Sequence, residues 1–314
     1  MPSGPRTLAV VAAGLSAALL GACGGSDGSG GSGDAGNPRT AVATTTQVAD
    51  LARAVAGERA EVRQILRPNS DPHAYEPRPS DVKAVAGAAV VLRSGGGLDD
   101  WLGGVVEHAG PGATTTTLID AVPKRRGERT VDPHWWQDPR NAIAAVRRLR
   151  DVMIAADPGG RADYTANAGA YVTRLRALDR AIASCMRSIP AARRRLVTDH
   201  DALGAYAHRY AIEIVGTVIP GVSTQAQASA GEVARLVRTI RSTGVRTIFP
   251  QGSANAKLAR AVARDAGAAI GPALYADTLG PAGSPGATYV GSLRFNTRAL
   301  AAGFGGGASS ACQL

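Results

Sequence analysis

Two short segments of the chain place a histidine in the same setting between two prolines. The first reads Ser-Asp-Pro-His-Ala-Tyr-Glu-Pro and ends at Pro77, and the second reads Val-Asp-Pro-His-Trp-Trp-Gln-Asp-Pro and ends at Pro139. Proline fixes its own φ and disfavours the helical region at the preceding residue, so both histidines are predicted to lie on stiff loops. A stiff loop loses little freedom on binding, and this setting favours a ligand-binding role for His73 and His134.

His200 and Asp277 complete a set that could bind a divalent cation. Each of the four residues follows a predicted strand, and ligands of open α/β sheets bind beyond the carboxyl ends of the strands. Two belong to each half of the chain, so a cleft between two domains could gather all four. Three neutral imidazoles and one carboxylate suit zinc above all, in about tetrahedral geometry. Some neighbouring aspartates could orient the imidazoles as hydrogen-bond acceptors: Asp71, Asp132, Asp138, Asp199 and Asp201.

Alternating apolar runs and amphipathic stretches predict the elements that position these residues. Strands are expected at 40–44, 61–66, 88–92, 115–119, 195–197, 212–218, 245–249 and 268–274. Helices are expected at 46–56, from 80 onward, and at 98–108, 139–156, 202–210, 229–242, 254–266 and 290–302. Their predicted N-terminal caps include Thr46, Asp138 before a proline, and Ser229 in a capping box with Glu232.

A further helix at 161–187 would be about 40 Å long, more than a crossover within one domain needs. We therefore expect an α/β protein with two Rossmann-like β/α domains, joined by this rigid helix, and a metal site in the cleft. The expected bounds are 39–158 for the N-terminal domain, 159–189 for the connecting helix and 190–314 for the C-terminal domain.

The formal charge of +10 raises the question of a nucleic-acid partner. The arginines are scattered along predicted helix faces, are not interleaved with aromatic residues and accompany no nucleic-acid motif. We therefore expect a basic, solvated surface and no nucleic-acid partner.

The N-terminus has the features of an export signal. Arg6 precedes an apolar run from Leu8 to Leu20 that is too short to span a bilayer. The segment ending at Cys23 resembles the lipobox of bacterial lipoproteins, in which the cysteine carries a diacylglycerol after cleavage. Residues 1–22 are thus expected to be a signal peptide and 23–38 a flexible Gly/Ser tether, with a plain signal peptide and an incidental cysteine as the alternative. The mature chain is expected on the outer face of the cytoplasmic membrane or in the periplasm, anchored by lipid.

Cys185 and Cys312 are the two remaining cysteines, an even pair in an oxidising compartment. We expect a disulfide that ties the C-terminus to the body of the protein. The sequence does not give the Cα separation on which such a bond depends.

Four segments together resemble the metal-binding lipoproteins of bacterial ABC importers for zinc and manganese, the ZnuA/TroA type. They are Asp71 to Pro77; Asp132 to Pro139; Thr198 to Ala202 with Tyr206 and Tyr210; and Leu274 to Leu279 with Thr288 and Tyr289. The resemblance covers nearly the whole mature chain and makes the long helix the interdomain strut. It implies that the metal ligands are His73, His134, His200 and Asp277.

The resemblance also implies a function without enzymatic activity. Such a protein captures a divalent metal outside the cytoplasm and delivers it to an ABC permease. A metallochaperone is a further candidate partner, and the protein is expected to be a monomer.

Departures from the family pattern bear on the choice of metal. Pro123 to Thr130 is short and has no histidine, whereas zinc-type members often carry a His-rich loop there. Many relatives have an acidic residue where this chain has Gln251, and manganese-selective members typically have a carboxylate at the position of His200. Because three nitrogen ligands favour zinc over manganese, zinc is the expected cargo and manganese the alternative.

Two other functions stay open from the sequence. A secreted zinc hydrolase would use three histidines and an open water position, although the chain has no His-Glu-x-x-His motif. A binding protein for a siderophore or another chelate would need a wide aromatic or arginine-lined cleft. His108 and His208 are expected to be exposed or structural, and Trp135 and Trp136 to pack beside the site.

Overall fold

The computed structural model describes residues 39–110, 112–127, 129–252, 256–305, 312 and 314. The predicted signal peptide, the whole of the predicted tether and the predicted lipidation site at Cys23 lie outside these residues. Among the residues described, no helix is both long enough and apolar enough to cross a bilayer.

The N-terminal half, here called the N-lobe, is built on a parallel sheet. Its strands are β1 (Arg39–Ala43), β2 (Ala60–Gln64), β3 (Val90–Arg93) and β4 (Thr114–Thr117), in the order β2-β1-β3-β4. Its helices are α1 (Thr46–Ala56), α2 (Pro79–Ala86), α3 (Leu102–Ala109) and α4 (Pro139–Ala156). The central strands β1 and β3 are buried on both faces, as is usual for parallel sheets. On one face, Val42 and Val91 pack in a cluster with residues of α2 and α3.

The C-terminal half, here called the C-lobe, repeats this topology after the connecting helix α5 (Arg161–Arg187). Its strands are β5 (Arg195–Thr198), β6 (Glu213–Thr217), β7 (Thr247–Phe249) and β8 (Ala269–Ile270), in the order β6-β5-β7-β8. Its helices are α6 (Gly204–Tyr210), α7 (Ala230–Thr243), α8 (Lys257–Ala266) and α9 (Tyr289–Gly303). Two parallel α/β lobes joined by a long helix confirm the predicted fold class.

Helix α5 has the bounds that its apolar spacing predicts. It packs against α1 and α4 of the N-lobe and against α6 and α9 of the C-lobe. Its buried residues belong to one continuous core that includes side chains of both lobes. Helix α5 is therefore packed against both lobes and is not an exposed linker.

The two largest differences between predicted and observed elements have local causes. The strand expected at 268–274 ends at Ile270, because Pro272 has no N–H for the ladder, and only Leu274 pairs again, in a single bridge with Gln251. The helix expected at 98–108 begins at Leu102. The preceding turn is held by Asp99, whose side chain accepts the backbone N–H groups of the two residues that follow β3.

The N-terminal cap of α1 was predicted one residue too late. Thr45, not Thr46, accepts the N–H of Val48 and caps the helix. The caps predicted at Asp138 and at Ser229 with Glu232 are present.

The C-terminus is tied to α5 by a disulfide. Cys185 is bonded to Cys312, with a Cα–Cα distance of 4.6 Å, which is the pairing predicted from the even number of cysteines. Cys185 is buried and Cys312 packs against the shared core. The bond therefore links the C-terminal end of the chain to the connecting helix α5.

Candidate metal site

The two Asp-Pro-His segments form the same local structure, which gives a physical reason for the repeated sequence. In each, the aspartate side chain accepts the backbone N–H of the histidine two residues later, at 2.9 Å for Asp71 and 2.8 Å for Asp132. This Asx-type bond and the intervening proline hold the histidine backbone in a fixed turn. His73 lies in a short 3-10 turn after β2, and His134 directly precedes another such turn before α4.

The C-lobe contributes the other two predicted ligands at the carboxyl ends of its strands. His200 follows β5, and its carbonyl accepts a hydrogen bond from Gln251 Nε2 at 3.2 Å. Asp277 lies three residues after Leu274, the residue that pairs with Gln251. The side chains of His200 and Asp277 are both fully buried.

The four predicted ligands converge on one point. His134 Nε2 lies 3.4 Å from His73 Nε2 and 3.5 Å from Asp277 Oδ1. His200 Nε2 lies 3.4 Å from the same Asp277 oxygen. The three imidazole centroids are 5.4 to 5.5 Å apart. One donor atom from each of the four residues lies within 4.8 Å of every other.

These separations suit a tetrahedral divalent cation. The edge of a regular tetrahedron is about 1.6 times the distance from centre to corner, so Zn–N and Zn–O bonds of about 2.0 to 2.1 Å give edges of about 3.3 to 3.4 Å. Three of the six donor separations, at 3.4 to 3.5 Å, are close to these edges, and all six are within 4.8 Å. The site can therefore place three nitrogens and one carboxylate oxygen around a single ion.

The family described as "Zinc-uptake complex component A periplasmic" (ZnuA) matches residues 41–303, a span that contains all four converging residues. The chain belongs to the ZnuA family. Its relatives include the manganese-binding lipoprotein MntA of Halalkalibacterium halodurans, 30% identical over 82% of this chain and 85% of the relative. The iron-binding protein YfeA of Yersinia pestis is 30% identical over 84% and 86%. Among solved structures, the periplasmic zinc-binding protein TroA from Treponema pallidum has a TM-score of 0.80 and 27% identity, covering 85% of this chain and 99% of TroA.

Membership of the ZnuA family settles the class of protein. These proteins are metal-binding, solute-binding components of ABC importers and are not enzymes. The secreted zinc hydrolase that the sequence left open is therefore wrong. The metals in the names of the three relatives are manganese, iron and zinc, so membership does not fix the cargo.

Electrostatics within the site favour a protonated His200 beside an ionised Asp277 when no metal is bound. Burial lowers the pKa of His200, but the close contact with Asp277 and its negative charge outweigh burial, so the net pKa is raised. Burial raises the pKa of Asp277, but the contact with His200 and the influence of the neighbouring imidazoles outweigh burial, so the net pKa is lowered. Burial also lowers the pKa of His73, which keeps that imidazole neutral and ready to ligate.

One of the aspartates expected beside the histidines contacts the imidazole of a predicted ligand. Asp132 Oδ1 lies 3.2 Å from His134 Nδ1, which orients the ring so that Nε2 faces the site. Burial raises the pKa of Asp132, but the hydrogen bond with His134 outweighs it and the net pKa is lowered. Asp138 instead caps α4 and pairs with Arg140 at 2.7 Å, and Asp199 accepts a backbone N–H.

The aromatic residues and the other histidines lie where the sequence predicts. Trp135 and Trp136 are buried, and the Trp136 ring centroid is 5.5 Å from that of His134. Their indole N–H groups donate to Ser94 Oγ and to a backbone carbonyl, respectively. His108 and His208 are exposed and lie outside the cluster.

Four polar residues that contact the site were not predicted from the sequence. Thr224 Oγ1 donates to Asp71 Oδ2 at 2.6 Å, and Gln225 Nε2 donates to the carbonyl of His73, so a C-lobe loop holds an N-lobe ligand loop. Gln47 and Gln137 are buried and donate to the residue before Asp277. Thr224 and Gln225 lie in a polar stretch with no recognisable motif. Gln47 follows three threonines and Gln137 precedes Asp138, so neither position carries a local signal of its contact.

Proposed function

We propose that this protein captures zinc outside the cytoplasm and delivers it to an ABC permease. The observation that carries the proposal is the convergence of three imidazoles and one carboxylate with tetrahedral spacing. Four protein donors close the coordination shell of zinc and leave no position for a reactive water, which suits cargo better than catalysis. His73, His134, His200 and Asp277 are the proposed ligands.

Zinc is preferred to manganese because of the donor atoms. Manganese favours oxygen donors and octahedral geometry, whereas imidazole nitrogen suits zinc. The Gln251 side chain next to the site directs its Nε2 to Thr198 Oγ1 and to the His200 carbonyl, so the nearby C-lobe strand end supplies an amide where a carboxylate would suit manganese. Manganese binding is the second candidate, favoured by the names of relatives such as MntA.

The remaining features are proposed to serve delivery at the membrane. Export by a signal peptide (1–22), a lipid on Cys23 and a tether (23–38) would keep the protein near its permease. We propose a monomer with an N-terminal domain at 39–158, a connecting helix at 159–189 and a C-terminal domain at 190–314. A metallochaperone is a candidate source of the ion, because the loop at 123–130 has no histidine.

Metal analysis and competitive titration of the purified chain against a chelator of known affinity test the proposal. We expect one zinc per chain with sub-micromolar affinity, strongly reduced in His73→Ala and in His200→Ala. The exposed histidines offer matched controls, and His108→Ala and His208→Ala should bind zinc like the unmodified chain. A chain that binds no zinc, or histidine variants of the cluster that bind it unchanged, would contradict the proposal.

The choice between zinc and manganese has its own test. The substitution His200→Glu exchanges a nitrogen donor for an oxygen donor and should lower the preference for zinc over manganese. Titration of both ions into the unmodified chain and into this variant measures the change. If the unmodified chain prefers manganese, the metal assignment is wrong while the capture function stands.

A further inference from the structure

The carbonyl oxygen of Ala276, directly before Asp277, accepts three N–H donors from the N-lobe. Gln47 Nε2 lies 3.2 Å from this oxygen, and Trp136 Nε1 and Gln137 Nε2 each lie 3.0 Å from it. All three donor side chains are buried. A carbonyl oxygen has two lone pairs, so three donors use this acceptor fully and fix the orientation of the peptide group that precedes Asp277.

The residues after Asp277 are also held by the N-lobe. Leu279 N donates to Thr46 Oγ1 at 2.8 Å, and Asn69 N donates to Thr278 Oγ1 at 3.0 Å. Tyr275, in contrast, exchanges two hydrogen bonds with Asn296 of α9, at 2.9 and 2.7 Å. The segment thus changes from C-lobe to N-lobe partners at Ala276.

The segment that carries His200 has partners in its own lobe. The His200 carbonyl and the Asp199 carboxylate both accept hydrogen bonds from Gln251, at 3.2 and 2.7 Å. Asp201 N donates to the Gly221 carbonyl at 3.0 Å. His200 is therefore fastened to the C-lobe by the same kind of contact that fastens Asp277 to the N-lobe.

The Gln137 side-chain amide can make its contact with the Ala276 carbonyl in only one orientation. Its Oε1 is buried and has no hydrogen-bond partner among the described residues. Rotating the amide would bring Oε1 against the Ala276 oxygen, and two acceptors repel, so the N–H group faces the carbonyl. The Gln137 amide therefore has a fixed orientation, with its N–H group on the Ala276 carbonyl.

We propose that the three donors are positioning residues for Asp277, which they hold on the N-lobe through the Ala276 carbonyl. This inference rests on the proposed function. His73, His134 and Asp277 then form a three-ligand half-site on the N-lobe, although Asp277 follows a C-lobe strand in sequence. His200 is the one ligand of the four that the C-lobe carries, and separation of the lobes withdraws it from the ion.

Double-mutant cycles on zinc affinity test the positioning role in the full chain. Methionine is close in size to glutamine but has no N–H, so Gln47→Met and Gln137→Met, alone and together, remove donors with little change in volume. We expect the paired variant to weaken zinc binding about tenfold or more. That loss should persist in a His200→Ala background and should shrink to about twofold or less in an Asp277→Asn background, since coupled residues are not additive.

Gln251→Met tests the corresponding contact in the C-lobe, which holds the His200 segment. Its effect on zinc affinity should disappear in His200→Ala and persist in Asp277→Asn. Gln64→Met in β2, whose amide donates to the Leu66 carbonyl, is the matched control and should leave the affinity unchanged. Equal losses in all backgrounds would show general destabilisation and would overturn the positioning role.

Hydrogen exchange of the unmodified chain, with zinc and after chelation, tests where Asp277 stays and needs no variant to fold. The amides of Leu279 and Asn69 bridge the Asp277 segment and the N-lobe, and both should remain equally protected in the two states. Faster exchange of these amides without metal would mean that Asp277 leaves with the C-lobe, which overturns the inference. An unmodified chain that binds no zinc overturns the proposed function and this inference with it, whereas normal binding without the predicted coupling overturns the inference alone.

Discussion

Replacing Asp277 with asparagine should change the stability of the metal-free protein in a way that depends on pH. The Asp277 carboxylate lies 3.4 Å from His200 Nε2, and both side chains are fully buried. Two unit charges at this distance attract by about 5 kcal/mol at an effective dielectric constant of about 20. Breaking a buried pair costs about 3 to 5 kcal/mol. Asp277→Asn should therefore lower the free energy of unfolding by that amount at a pH where both groups are charged.

The pH window follows from the two pKa shifts. The pKa of Asp277 is lowered from 3.8, so its contribution to the stability of the folded protein is present above pH 3.8 and is lost as pH falls through the folded pKa. The pKa of His200 is raised from 6.5, so its contribution is fully present below pH 6.5 and is lost as pH rises through the folded value. The decrease in the free energy of unfolding caused by Asp277→Asn should therefore be largest between about pH 4 and 6.5 and should shrink as pH rises through the raised pKa of His200.

Denaturant unfolding of chelator-treated protein from pH 4.5 to 8.5 measures this effect. Asp179→Asn is the control, because Asp179 pairs at 2.7 Å with Arg209, which stays charged over the whole range. The decrease in the free energy of unfolding caused by Asp179→Asn should not vary with pH. If the decrease caused by Asp277→Asn is the same at every pH, or grows above neutrality, the charge pair between Asp277 and His200 is refuted.

Three further substitutions test other parts of the site and fold. Asp132→Ala removes the acceptor that orients one ligand imidazole and should weaken zinc binding about 10- to 100-fold in a competition titration; unchanged affinity would contradict this role. Thr224→Val removes the hydroxyl that donates to Asp71 at 2.6 Å and should speed zinc dissociation about tenfold in stopped-flow mixing with a chelator, whereas Thr224→Ser should not. Equal rates for the two variants would show that this contact does not hold the site closed. Cys312→Ser opens the disulfide to Cys185, which spans 127 residues, and should lower the free energy of unfolding by about 4 to 5 kcal/mol in the chain-entropy limit. Zinc affinity should stay the same, and a loss of affinity instead would tie the disulfide to the site.

Features set by neighbouring residues were predictable from the sequence. The break before Arg161 and the three- and four-residue apolar spacing define α5 with its observed bounds. Asp138 followed by a proline marks the start of α4, and Ser229 with Glu232 marks that of α7. Each signal acts within one turn of the chain, where dihedral restrictions and caps decide the structure.

The convergence of the four predicted ligands was also predictable, because parallel strands direct their following loops to one edge of a sheet. The contacts that orient the ligands were not. Gln47 contacts Ala276 across 229 positions and Gln137 contacts it across 139, and no local pattern encodes such a pairing. The transfer of Asp277 to the N-lobe likewise depends on how the lobes pack, which residue spacing does not specify.

The position and geometry of bound metal test the central claim most directly. A crystal of the zinc-loaded chain, measured on both sides of the zinc absorption edge, should show one anomalous peak. That peak should lie about 2.0 to 2.1 Å from a nitrogen of His73, His134 and His200 and about 2.0 to 2.2 Å from an oxygen of Asp277. A peak elsewhere, or an ion at this point with several water ligands and octahedral geometry, would contradict the four-residue zinc site.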